Sequence, residues 1–149
     1  MFKSTASTDD ATTLHEPLAD SAGKLLLRLT VGGLMLFHGV AKLRGGIEGI
    51  EGMVTGAGLP AAFAYGVYIG EVVAPVLLIL GLWTRPAAII FAFNMVVAIA
   101  LGHRSDFFSL GPHGGWAVEA AAFFLLTAVC IALLGPGRLA VGRKTGFFA

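Results

Sequence analysis

Charged residues are scarce in this chain: only 13% of its 149 residues are Asp, Glu, Lys or Arg. An average soluble domain has about a quarter, so the composition argues against a soluble globular protein. The formal net charge is +1, and no basic patch interleaves with aromatic residues, which leaves no case for nucleic-acid binding. The P-loop, the glycine-rich dinucleotide fingerprint and a Ser-His-Asp order are absent from the sequence as well.

Cysteine is almost absent, since Cys130 is the single one. One cysteine excludes an intramolecular disulfide, a Cys-x-x-Cys redox pair and a Cys-x-x-Cys-His haem attachment. Any redox role would therefore depend on a bound cofactor or on a partner protein.

Apolar residues, by contrast, make up 56% of the chain, and the mean hydropathy is +0.84. An α-helix needs ~20 apolar residues to cross ~30 Å of hydrocarbon, and four apolar runs approach that length. The sequence therefore predicts an all-α fold, an integral membrane four-helix bundle in the lipid bilayer. The predicted spans are residues 24–43, 61–83, 85–101 and 116–134.

The segments outside these runs define the predicted domain boundaries. Residues 1–22 are rich in Ser, Thr, Ala and Asp and lack the apolar core of a signal peptide, so we expect a disordered cytoplasmic tail. The membrane domain covers residues 23–143, and residues 144–149 form a short cytoplasmic tail. In the connection after the first span, apolar residues recur with helical spacing and predict a short interfacial helix.

Lysine and arginine are distributed unevenly between the two predicted membrane faces. The face that holds both termini and the second loop carries Lys3, Lys24, Arg85, Arg138, Arg143 and Lys144, and the other face carries Lys42, Arg44 and Arg104. The positive-inside rule then places both termini in the cytoplasm. We expect a multi-pass protein of the inner (cell) membrane.

Small residues recur every fourth position in the second span, at Ala62, Gly66, Gly70 and Ala74. Close van der Waals contact between membrane helices depends on such residues, because lipid supplies no hydrophobic drive between helices. The pattern predicts one smooth face for helix packing.

Polar residues inside the spans need the most explanation, because a charge at bilayer depth costs ~2.5–3.5 kcal/mol. At ~1.5 Å per residue, Glu71 lies ~15 Å into the second span, and Pro75 cannot donate to its carbonyl. We expect a bend there and a role for Glu71 in holding a ligand or a proton, the alternative being a pairing that fixes helix register. The ligand-binding candidates are His38, Lys42, Glu71, His103 and Glu119.

Each remaining polar residue has a structural interpretation beside the functional one. His38 and His103 can be interfacial or form hydrogen bonds between helices, and Glu119 can pair with either histidine. Arg28 is expected to be structural or to face lipid, by snorkelling to the interface or binding lipid phosphate. Asn94 is expected to join two helices by a hydrogen bond.

Depth predicts a shared site in the outer half of the bundle. We expect the side-chain ends of His38, Glu71 and Glu119 to lie within ~10 Å of one another, close enough for one head group or a bridging water. Two histidines and two glutamates are also metal-ligand types. They come from four helices without a local spacing motif, so neither a metal nor a haem between the histidines is favoured.

Motifs throughout the chain together resemble the DoxX family of small four-helix membrane proteins. The resemblance covers about residues 24–143 and rests on order and spacing. Its motifs are Arg28-Leu29, residues 32–39 ending in His38-Gly39, Lys42-Leu43, Gly58-Leu59-Pro60, Gly70-Glu71, residues 80–85, Asn94-Met95, His103 and residues 114–119.

The resemblance implies an inner-membrane protein that is often associated with oxidoreductases, including the membrane part of thiosulfate:quinone oxidoreductase. The family's Arg, His-Gly, Lys and Glu positions correspond here to Arg28, His38-Gly39, Lys42, Glu71 and Glu119, without an assigned catalytic role.

Two functions from different classes follow. In one, the bundle binds a quinone-like ligand or relays protons within a redox complex. In the other, it is a non-catalytic scaffold that recruits partner proteins or further copies of itself. A small transporter is a weaker third option, because four spans without an internal repeat are few for alternating access.

Overall fold

The computed structural model describes residues 17–112 and 114–142, and this part of the chain contains no β-strand. It contains five helices, of which the second is too short to span a membrane and the third is not a regular α-helix throughout. The helices are α1 (Leu18–Gly45), α2 (Glu48–Gly56), α3 (Ala61–Leu80), α4 (Thr84–Gly102) and α5 (Glu119–Leu134).

Three of these helices, α1, α3 and α4, are long enough and apolar enough to cross a membrane. The fourth predicted span is shorter than expected, because α5 begins at Glu119 and not at Trp116. Its 16 residues extend ~24 Å at ~1.5 Å each, short of ~30 Å of hydrocarbon. The described part of the protein is therefore all-helical and suited to a membrane, with three helices long enough to span it and one shorter apolar helix.

The helix ends differ from the predicted spans in two further places. Helix α1 begins at Leu18, so residues 18–22 of the predicted tail are helical, while residues 1–16 lie outside the described part. The predicted second span ends at residue 83, but α3 ends at Leu80, and residues 81–83 form the turn before α4. Gly81 has φ +71° there and Trp83 has φ +44°, so both adopt the left-handed conformation that reverses the chain within three residues. The short helix predicted after the first span is present as α2.

The second span, α3, changes its hydrogen-bonding pattern along its length. It starts as a 3₁₀ turn at Ala61–Tyr65, becomes α-helical, widens to a π-turn at Ile69–Val73 and returns to an α-helix at Ala74–Leu80. Because Pro75 has no N–H, the helix cannot close the bond to Glu71, and a π-turn accommodates the irregularity. Glu71 thus lies in a π-turn at the position where the sequence predicts a bend.

Glycines allow the helices to approach closely around this π-turn. A Cβ atom at Gly39 would collide with the carbonyl oxygen of Glu71, and one at Gly32 would lie 3.0 Å from the carbonyl oxygen of Pro75. Gly70 holds the side chain of Asn94 against the backbone of α3. Gly66 faces open space, so the four-residue stripe predicted for α3 is only half used, and α1 supplies the other close contacts.

The apolar core lies between α1, the second half of α3, α4 and α5. Phe91 and Ala88 of α4 are fully buried there, and Leu78 of α3 is as well. The core residues are Val31, Met35, Ala74, Leu78, Ala87, Ala88, Phe91, Met95, Ala128 and Ile131. A second, smaller cluster packs α2 against the start of α3.

Candidate functional site

An ion pair links α1 to the π-turn of α3. Lys42 Nζ donates to Glu71 Oε2 at 2.5 Å, and the two side chains are 25% and 7% exposed. Lys42 stands at the end of α1, one turn after His38, and Tyr68 donates its hydroxyl to the Lys42 carbonyl at 3.4 Å. The pair is tied to both helices, and the carboxylate is almost entirely buried.

Two cavities of about 220 Å³ each adjoin this pair, and Lys42, Glu71, Ala98 and His103 line both. The first cavity is polar on one side, where His38 joins the shared residues, and apolar on the other. The second lies under α2 and the 3₁₀ turn, and most of its lining is apolar: Ile50, Met53, Val54, Phe63, Ala64, Val67, Val97 and Leu101. The ion pair therefore stands between two cavities, of which the one under α2 is the more apolar. We call the two cavities together the Lys42–Glu71 pocket.

Both histidines of the pocket are exposed, and neither forms a side-chain hydrogen bond within residues 17–112 and 114–142. The His38 ring packs edge-on against Phe124 of α5, with 6.0 Å between ring centroids. His103 follows the last residue of α4, where its backbone N–H donates to the Ile99 carbonyl. The helix-joining hydrogen bond considered for His38 is thus not formed, because the ring contacts an apolar residue. Its ring nitrogens are left for water or a ligand.

Glu119 does not belong to this group. It is exposed at the first position of α5, does not line either cavity, and has its carboxylate folded toward Gly115. A carboxylate in the first turn of a helix interacts favourably with the helix dipole. The structure thus leaves Glu119 out of the lining of both cavities, because α5 begins three residues later than predicted and the side chain lies beside the preceding loop. Its predicted ion pair with a histidine is absent from the described residues as well. A shared site of His38, Glu71 and Glu119 stays a prediction.

Arg28 lies at the opposite end of the bundle and is completely buried, so the lipid-facing alternative for it is wrong. Its Nη1 donates to the carbonyl oxygens of Leu78 (2.9 Å) and Ile79 (3.4 Å), and its Nη2 donates to that of Leu139 (2.6 Å). The first two carbonyls lie in the last turn of α3, where the helix dipole favours a cation. Arg28 therefore joins α1, α3 and the segment after α5.

Sequence analysis missed that last segment, which follows Gly135-Pro136-Gly137. Val141 and Gly142 donate their backbone N–H groups to the carbonyls of Leu80 and Gly81, and the Arg138 N–H donates to the Ser21 hydroxyl at 3.3 Å. The segment closes the end of the bundle over Arg28. Nothing in its composition indicated this contact, because backbone groups make most of it.

Asn94 packs on Gly70 but leaves its Nδ2 buried without a hydrogen-bond partner in the described part of the chain. Its expected helix-joining hydrogen bond is therefore not formed by Nδ2, and the contact with α3 is steric. In residues 17–112 and 114–142, no three His, Cys, Asp or Glu side chains are grouped closely enough to hold a metal ion.

The chain also matches known proteins over most of its length. The DoxX family model matches residues 23–104, which include Arg28, His38, Lys42, Glu71 and His103. The chain belongs to the DoxX family. The match extends from α1 to the end of α4, so it contains all the residues that these helices contribute to the Lys42–Glu71 pocket.

Curated relatives match about four fifths of the chain. "Putative oxidoreductase CatD" of Bacillus subtilis strain 168 is 33% identical over 130 residues, 83% of this chain and 92% of its own. "Inner membrane protein YphA" of Escherichia coli strain K12 is 30% identical, and the match covers 80% of this chain and 88% of its own. "Uncharacterized membrane protein Rv3486" of Mycobacterium tuberculosis is 32% identical, and the match covers 80% of this chain and 79% of its own. No solved structure matches this chain significantly.

Proposed function

We propose that this protein is the membrane subunit of a redox complex and that the Lys42–Glu71 pocket binds a quinone-like ligand and relays its protons. The observation that carries the proposal is the ion pair between two cavities, bordered by histidines whose rings have no hydrogen bonds within the described residues. A relative named as an oxidoreductase, CatD, supports the redox context.

The pocket matches the chemistry of such a ligand. A quinone has two carbonyl oxygens that accept hydrogen bonds and an apolar ring and tail. The Lys42 ammonium has three donors, of which Glu71 takes one, and the imidazoles of His38 and His103 can donate too. The cavity under α2 offers apolar side chains to the ring and tail. Ligand sites are typically of this kind, mostly apolar with a few convergent polar groups.

Proton transfer would follow from the same arrangement. Reduction of a quinone to a quinol takes up two electrons and two protons. An imidazole ring has one nitrogen that can donate a proton and one that can accept one, and both imidazoles are exposed. The Lys42 ammonium, which the Glu71 carboxylate stabilises, would hand a proton to the ligand and regain one from water through a histidine. A second such cycle would deliver the second proton. The electrons would come from a redox partner protein, which makes this chain a subunit rather than a complete enzyme.

The proposed orientation places both termini in the cytoplasm and the pocket near the outer face, with the four-helix domain spanning residues 23–143. It rests on the Lys and Arg bias. In a Cys130→Ala background, a cysteine at Gly49 should react with a membrane-impermeant thiol reagent from outside, and one at Thr145 only from the cytoplasm. Labelling of both from the same side would overturn four crossings.

Native purification tests the ligand proposal. The protein is extracted with its own lipids and partners, and bound small molecules are identified by mass spectrometry of the lipid extract. We expect a quinone at near-stoichiometric amount in the unaltered protein and about a tenfold loss in Glu71→Gln, because the charged hydrogen bond that holds the Lys42 donor in place is weakened. Glu119→Gln is the matched control, because that carboxylate lies outside the pocket. Equal loss in both variants, or no quinone, would overturn the assignment.

A scaffold function is the second candidate, and the loop after α4 favours it. The Phe107 ring packs edge-on against Trp116 with 5.3 Å between centroids, and the Trp116 indole donates to the Phe107 carbonyl. This ordered loop presents Phe108 with 96% of its surface exposed. Phe108→Ser should reduce co-purification of partner proteins if they dock there. If Phe108→Ser retains its partner proteins and a quinone is bound, only the redox-site proposal would be favoured.

A further inference from the structure

A long apolar groove runs between α4 and α5, away from the Lys42–Glu71 pocket. Its volume is about 870 Å³, and Arg85 is the one charged residue among those that line it. Helix α4 contributes Ile89, Phe93 and Val96, and α5 contributes Leu125, Val129 and Leu133. Phe93 is 69% exposed. The groove is therefore an open, apolar surface with a cation at one end.

The length of the groove corresponds to one leaflet of a bilayer. From Arg85 to Val96 the helix rises ~16 Å at ~1.5 Å per residue, about half of ~30 Å of hydrocarbon. Arg85 lies at the start of α4, beside Trp83, whose indole is exposed as expected at headgroup level. The cation is thus placed where lipid headgroups lie, and the groove extends from it toward the bilayer centre.

Arg85 has no hydrogen bond or ion pair with another side chain or backbone group within residues 17–112 and 114–142. Its guanidinium lies beside Gly135, where a Cβ would be 3.4 Å from Nε and Nη2. The first turn of α4 adds the positive end of the helix dipole. In Arg28 the two terminal nitrogens of the same kind of group donate to three carbonyls, whereas the Arg85 donors remain available.

We propose that this groove binds an anionic phospholipid, with its phosphate on Arg85 and one acyl chain between α4 and α5. Charge and shape act together: the guanidinium selects a negatively charged headgroup, and the apolar groove holds the chain. Arg85 would act as a planar donor to phosphate oxygens, for which arginine geometry is well suited. The site is separate from the proposed quinone pocket and does not depend on it.

Native mass spectrometry of the purified protein in detergent tests the site, with phosphatidylglycerol and phosphatidylcholine of identical acyl chains at equal concentration. We expect the unaltered protein to retain phosphatidylglycerol preferentially. Arg85→Gln should reduce that preference about fivefold, the effect of one cation at an anionic surface, while Arg85→Lys should keep most of it. Arg104→Gln is the matched control, because Arg104 is exposed beyond the other end of α4.

A groove-filling variant tests the acyl chain independently of charge. Ala132→Leu adds volume inside the groove and should lower retention of both lipids without changing the preference. Soluble glycerol phosphate should not displace the bound lipid, because it has no chain. Unchanged preference in Arg85→Gln, an equal loss in Arg104→Gln, or displacement by glycerol phosphate would overturn the proposal. So would a change of oligomeric state in Ala132→Leu with lipid retention unaffected, which would assign the groove to a second copy of the chain.

Discussion

Helix α1 carries two cations that the fold treats in opposite ways. Arg28, near its start, is fully buried, and its three hydrogen bonds go to backbone carbonyls of α3 and the segment after α5. Lys42, ~21 Å further along the helix at ~1.5 Å per residue, pairs with a single carboxylate beside two cavities. Both are charges within a membrane protein, but only one of them adjoins space for a ligand.

The difference separates a charge that holds the fold together from one that we propose to be functional. A buried charge is tolerated better when it has hydrogen-bond partners, and the Nη1 and Nη2 atoms of Arg28 donate to neutral carbonyls of two other chain segments, while its Nε has no partner in the described residues. Lys42 keeps two donors beyond its bond to Glu71, and the carboxylate lies in a π-turn, a feature often found at functional sites. Depth alone does not separate the two cases. The partners and the adjoining cavity do.

The largest effect is expected at the structural end. Arg28→Met removes the donors of three buried or part-buried carbonyls, so we expect the free energy of unfolding to fall by about 3 kcal/mol. Reversible unfolding in mixed micelles measures it, and the quinone content of the folded fraction should stay unchanged. A variant as stable as the unaltered protein would mean that Arg28 does not hold the segment after α5.

At the other end, removing one partner of the ion pair should be costly and removing both should not. Lys42→Met leaves the Glu71 carboxylate buried without its partner, and we expect a loss of about 2 kcal/mol, below the full cost for a completely buried pair. Adding Glu71→Gln should restore most of that stability while the ligand remains absent. A double variant that is less stable than Lys42→Met would show that the pair serves the fold.

The close approach of α1 to the π-turn gives a smaller effect. Gly39→Ala places a methyl group against the Glu71 carbonyl, so we expect a loss of about 1.5 kcal/mol, typical of overpacking. Gly33→Ala is the matched control, because a Cβ there meets nothing within 4 Å. It should be neutral or slightly stabilising. Equal effects at both positions would contradict the assigned packing of α1 on α3.

Glu119→Gln is expected to have the smallest effect. The residue lies in the first turn of α5 and outside the pocket, so only its interaction with the helix dipole is lost. That interaction contributes about 0.5 kcal/mol. Unfolding of the variant measures it, and a tenfold loss of ligand would instead return Glu119 to the site.

Sequence reasoning predicted the elements better than the contacts. Hydrophobic runs and Pro75 indicate the spans and the irregular turn at Glu71, because both depend on local chemistry. The burial of Arg28 depends on Leu139, which is far away in sequence and contributes only a carbonyl. The exclusion of Glu119 depends on where α5 begins, a boundary that apolar composition does not define. The pairing of Lys42 with Glu71 joins two residues that were singled out separately, but their contact needs the helix packing.

Photo-crosslinking tests the central claim most directly, namely that the pocket end and not the Arg28 end binds a quinone-like ligand. A short-chain azido-quinone is added to the purified protein and the mixture is illuminated. The labelled peptides are then mapped by mass spectrometry. The account predicts labelling of α2 and the first half of α3, competed by unmodified quinone and lost in Glu71→Gln but kept in Glu119→Gln. Labelling confined to the α4–α5 groove, or unaffected by Glu71→Gln, would contradict it.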